Sequence, residues 1–142
     1  MRRFSFFFVG VLALTCLVLA ALDARAQGGG AANPEAKRLK NPVAATPASV
    51  AAGAAAYKKY CAFCHGASGK GDGPLAPKDP PPKDLTDATW DYGSTDGEIF
   101  TTITGGLGPD SKMTALKGKM PDQDIWHIVN YLRSLGPKTA AR

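Results

Sequence analysis

Side chains able to hold a metal are scarce in this sequence, which has three cysteines and two histidines in 142 residues. A structural zinc site takes four ligands, usually from two separated pairs. Beyond Cys61, Cys64 and His65, only His127 is left to complete one outside the N-terminal apolar run. Strands of useful length and internal repeats are also missing, and without strands the βαβ setting of a thioredoxin-like redox pair is absent. Nor is there an excess of one charge: 17 Lys and Arg face 12 Asp and Glu. The strongly basic stripe with interleaved aromatics that nucleic-acid binding needs is not there.

What is present begins with Arg2 and Arg3, an apolar run from Phe4 to Leu22, and Ala24-Arg25-Ala26. A positive start, an apolar stretch and an A-x-A site predict a secretory signal peptide over residues 1–26, cleaved after Ala26, and hence a periplasmic location. The competing reading is an uncleaved anchor, because the run approaches the length that spans a bilayer. Gly10, Thr15 and Cys16 interrupt the run, and Cys16 leaves with the signal. Without Arg2, Arg3, Arg25 and Asp23 the basic-to-acidic balance is 14 to 11. The remaining 116 residues suit one small domain. So small a domain buries a modest core, and a covalent or metal staple would help it.

Residues 27–48 are rich in Gly, Ala and Pro and predict a flexible leader. Thr46 as N-cap and Pro47 as first helical residue open a helix that runs to about Tyr60. Residues 66–82, "GASGKGDGPLAPKDPPP", predict an irregular loop stiffened toward polyproline at its end. Such a loop is long for a small domain unless something fills the space beside it. Thr95 and Glu98 form a capping box for a short helix from Asp96 to about Thr104. Ile125, Ile128, Val129, Leu132 and Leu135 recur at helical spacing in the last element, which Gly136-Pro137 stops. The domain is expected over residues 49–137, with a tail at 138–142.

In "CAFCHG" two thiols three residues apart precede a histidine. Export to an oxidising compartment makes a disulfide the default reading of the pair. His65 favours another: C-x-x-C-H is the attachment signal of c-type haem. Each thiol can form a thioether to one vinyl group, and the adjacent imidazole is then held beside the iron as proximal ligand.

"GAAAYKKYCAFCHG", "GDGP" and "KMTALKGKMPDQDIWHIVNYLRSL" together resemble the class I, single-haem cytochromes c, from about Ser49 to Leu135. The resemblance implies an all-α fold of three to four helices wrapped around one covalent haem c. It pairs Gly53 and Tyr57 of the first helix with Ile128 and Tyr131 of the last. It implies that the carbonyl of Pro74, or failing that Pro77, accepts the proximal histidine's proton, and that Trp90 and Tyr92 bond the haem propionates. For the sixth ligand it favours Met113, 13 residues before Trp126, although Thr114 stands where the family usually has proline. Met120 is the fallback, but its place just before the helix also suits packing against Ile125. His127 is expected at the surface or boundary.

The implied function is one-electron transfer between redox partners, with no bond-making chemistry and no nucleic acid. Lys70, Lys112, Lys117 and Lys119 could ring the haem edge and steer an acidic partner. A subunit docked to a larger dehydrogenase or oxidase is the alternative, with membrane contact only through that partner or an uncleaved anchor. A haem peroxidase or gas sensor, which needs an open sixth position, is the third reading.

Overall fold

The computed structural model describes residues 33–88 and 90–136. The expected signal peptide, residues 27–32 of the leader, Pro137 and the tail lie outside the described residues. Five helices, α1 (Pro34–Arg38), α2 (Pro47–Tyr60), α3 (Ala62–His65), α4 (Asp96–Gly105) and α5 (Asp122–Leu135), carry the described fold. No strand forms among the described residues, only an isolated bridge between Lys117 and Met120. None of these helices is long and apolar enough to cross a membrane.

α2 starts as its sequence predicts, with the Thr46 hydroxyl accepting from the Ser49 amide and Pro47 at the first position. α5 has no side-chain cap, because Pro121 holds the capping place. Asp122 and Asp124 in its first turn and Arg133 in its last oppose the helix dipole instead. The two helices pack closely where α2 carries Gly53: a Cβ there would overlap the His127 carbonyl of α5. Around that contact Tyr57, Ile125, Ile128 and Val129 are fully buried. Each such aliphatic side chain contributes about 1.5–3 kcal/mol by leaving water.

α4 begins in the expected capping box: the Thr95 hydroxyl accepts from the Glu98 amide, and the Glu98 carboxylate accepts from the Thr95 amide at 2.9 Å. Phe100 of α4 stacks on Trp126 of α5, with ring centroids 4.0 Å apart and planes 9° from parallel. Arg133 ties the start of α4 to α5 through its 2.7 Å bond to Asp96 and a second bond to the Ser94 carbonyl.

The leader expectation is corrected over residues 33–46, which lie against the domain. Asn33 caps α1, and the Ala36 carbonyl and Leu39 rest where a side chain on Gly97 of α4 would stand. Asn41 donates to Asn130 at 2.9 Å and to the Trp126 carbonyl at 3.4 Å. Asn130, buried on α5, donates to the carbonyls of Val43 and Ala44 and to the Ser49 hydroxyl. A composition that reads as linker is held here by polar side chains whose partners lie more than 80 residues away in sequence.

Two predictions follow from these contacts. Asn41→Ala strands the buried Asn130 oxygen and should cost about 1–3 kcal/mol, read as a lower urea midpoint with faster amide exchange over residues 34–46. An unchanged midpoint would show that the strap adds nothing. Burial raises the Glu98 pKa, but bonds from the Thr95 amide and hydroxyl, with help from Lys37, outweigh it and leave the group below the ordinary carboxylate value. Its stabilisation is therefore present above that value and lost as pH falls through the folded pKa. The stability gap between the parent and Glu98→Gln should be widest at neutral pH and close below about pH 4.

Candidate functional site

α2 ends at Tyr60, and Cys61, with αR backbone, links it to the single turn of α3. Cys61, Cys64 and His65 are thus carried on a helix end whose direction is set by the α2–α5 crossing. A helix so short cannot satisfy its own terminal carbonyls. The loop after it does so in sequence: Leu75, Gly73, Gly71 and Gly69 donate their amides to the carbonyls of Phe63, Cys64, His65 and Gly66, at 2.8, 3.2, 2.9 and 3.3 Å. The alternating glycines have a steric cause. A Cβ on Gly73 would overlap the Phe63 carbonyl, one on Gly71 the Pro82 carbonyl, and both Gly69 and Gly71 have positive φ.

No disulfide joins Cys61 and Cys64. Burial, with Cys64 as a smaller second cause, pushes the Cys61 thiol up to about 12. Among the described residues no three Cys, His, Asp or Glu side chains converge on a common ion. Cys61, Cys64 and His65 therefore do not close around one point, which fits attachment to an extended group better than a caged metal.

His65 is half-buried, and its Nδ1 is a buried nitrogen without a hydrogen-bond partner. Burial lowers the imidazole pKa; the Lys83 backbone raises it by less. The net effect keeps the ring neutral and its lone pair available at neutral pH. A neutral imidazole of this kind, beside two thiols, fits a covalently held haem.

The loop places residues 73–75 beside Phe63 and Cys64 and leaves Pro74 exposed, and His65 Nδ1 bonds no carbonyl in this structure. Trp90 is half-buried against the core, and its indole donates to the Asp87 carbonyl at 3.1 Å. Tyr92 is exposed.

Met113 is half-buried against the core. Its carbonyl accepts from the Leu107 amide and its own amide donates to the Ser111 hydroxyl, each at 3.1 Å, so the loop that carries it is closed on itself. Met120 is buried in the core cluster with Ile125 and Trp126, the packing role its position predicts. His127 lies outside the attachment turn, with Nδ1 2.8 Å from the Ser49 hydroxyl. Lys70, Lys112, Lys117 and Lys119 are all exposed.

Sequence reasoning missed one contact of the site, the bond from the Tyr57 hydroxyl to the Gly66 carbonyl at 2.8 Å. The alternation of Gly69, Gly71 and Gly73 was the available sign that this loop lies on backbone.

The family described as cytochrome C oxidase, cbb3-type, subunit III matches residues 48–132. The cbb3-type cytochrome c oxidase subunit FixP of Bradyrhizobium sp. is 36% identical over 86 residues, 61% of this chain and 27% of that protein. The CcoP subunit of Rubrivivax gelatinosus is 35% identical over 94 residues, 66% of this chain and 28% of that protein. This chain thus spans little more than a quarter of the length of these relatives. Among solved structures, a chain of the reducing HAO-like protein complex of Kuenenia stuttgartiensis aligns with TM-score 0.61 and 27% identity, over 70% of this chain and 50% of that one. Cytochrome cL of Methylophaga aminisulfidivorans aligns with TM-score 0.53 and 26% identity, over 68% of this chain and 57% of that one.

Gly71→Ala should drive a methyl group into the Pro82 carbonyl from a positive-φ residue. The expected loss is about 2 kcal/mol or more of stability, measured by urea denaturation, and the equivalent change at open Gly105 should cost about 1 kcal/mol less.

Proposed function

The chain belongs to the family of cytochrome c oxidase, cbb3-type, subunit III, a family of c-type cytochromes, and from that premise we propose that it relays single electrons between redox proteins. Covalently bound haem c supplies the reversible ferric–ferrous couple. Cys61 and Cys64 would tether it through thioethers, and His65 and Met113 would ligate its iron. The observation that carries this reading is the half-buried imidazole of His65, its Nδ1 without a partner, on the same turn as Cys61 and Cys64, which no disulfide joins. A methionine opposite histidine fills the sixth position, raises the potential and suits outer-sphere transfer rather than bond-making chemistry.

Exposed Lys70, Lys112, Lys117 and Lys119 favour a partner with an acidic face, approached at a rate that falls as salt rises. The apolar run and A-x-A site of residues 1–26 support export to the periplasm. The second reading, a subunit docked to a larger complex, has its own support: the matched FixP and CcoP are oxidase subunits, and the solved chain from Kuenenia comes from a complex.

The test is visible spectroscopy of the purified pigmented protein. The pigment should stay with the polypeptide through acid acetone. Met113→Ala should abolish the weak far-red sulfur-to-iron band and let carbon monoxide bind the ferrous form rapidly, while Met120→Ala should keep the band and lose stability. The opposite assignment of the band would replace Met113 with Met120. Rapid carbon monoxide binding by the parent would overturn the carrier reading.

A further inference from the structure

Tyr57 is 2% exposed, with its ring tilted at 54° against Tyr131 of α5 at a centroid distance of 5.1 Å. Packing alone asks only for an aromatic ring there, and phenylalanine would supply it. The hydroxyl is a buried polar group that must find a partner, and it donates to the Gly66 carbonyl at 2.8 Å. Gly66 is the residue after His65. Burial first, then Cys61, Tyr131 and Asp72, raise the hydroxyl's pKa far above the ordinary tyrosine value. The group is therefore a permanent donor.

Gly66 has little freedom of its own. Its φ of 78° and ψ of 161° suit glycine alone, a Cβ would overlap the Asp72 carboxylate, and its amide donates to the Ala62 carbonyl at 2.9 Å. Its carbonyl also receives the Gly69 amide at 3.3 Å, so Tyr57 makes the shorter of the two bonds. On the other side, the His65 carbonyl is held by the Gly71 amide at 2.9 Å. The backbone of His65 is thus clamped between the loop and a side chain backed by α5.

We propose that the Tyr57 hydroxyl is a positioning group for His65: through the Gly66 carbonyl it sets the backbone from which the imidazole approaches the haem iron. The proposal rests on reading His65 as the proximal ligand. Tyr57→Phe removes one oxygen and keeps the ring, so the core remains filled while the clamp is released.

The experiment is proton NMR of the ferric, haem-bearing protein, with the reduction potential measured alongside. The pattern of hyperfine-shifted haem methyl resonances reports the orientation of the axial imidazole plane. Tyr57→Phe should shift that pattern and the potential, and Tyr131→Phe, which trims the other ring of the pair, should leave both in place. A Tyr57→Phe protein with parental methyl shifts and potential and only a lower Tm would overturn the positioning role, as would equal shifts in both variants. Should Tyr57→Phe fail to accumulate with haem, 3-fluorotyrosine in the parent chain strengthens the donor at nearly unchanged packing. It should then move the methyl resonances, and unmoved resonances would overturn the proposal. A parent spectrum without hyperfine-shifted histidine ring protons would instead remove the His65 reading itself.

Discussion

Backbone meets backbone where α2 crosses α5, because Gly53 has no side chain to keep the His127 carbonyl at a distance. Everything at the attachment turn inherits its place from that crossing. The close approach lets Tyr57 lie between the helices, buries Ile125, Ile128 and Val129, and aims the end of α2, which Cys61 joins to α3. The same tyrosine then reaches forward to the residue after His65. Helix packing and placement of the ligand are therefore one mechanical system.

The attachment turn is stabilised from the loop side by hydrogen bonding rather than by apolar burial. Three carbonyls of a one-turn helix and that of Gly66 after it accept four loop amides, and Gly71 and Gly73 lie directly on backbone. This arrangement explains how a segment without regular structure holds a fixed shape in a small domain. It leaves Cys61 packed against the core, with the loop on the other side of the turn.

Polar contacts also extend the domain beyond the matched family segment. Asn130, buried on the helix face next to the apolar stripe, gathers Asn41, Val43, Ala44 and Ser49 into one network. A buried amide of this kind is costly unless its groups are bonded, and here its oxygen and its nitrogen both are. Residues 33–46 complete that bonding, so they are part of the fold although they precede residue 48, where the family match begins.

The sequence by itself determined the helical class, the starts of α2 and α4, the apolar stripe of α5 and the C-x-x-C-H turn. Those features depend on near neighbours: caps, prolines, periodicity and spacing act within one or two turns. It could not place the Asn41–Asn130 bond or the Tyr57–Gly66 bond. In both, the partner is chosen by where the folded chain returns in space. Local chemistry wrote the attachment signal, and tertiary packing decided which groups hold it, because hydrogen bonds answer to proximity and direction rather than to residue number.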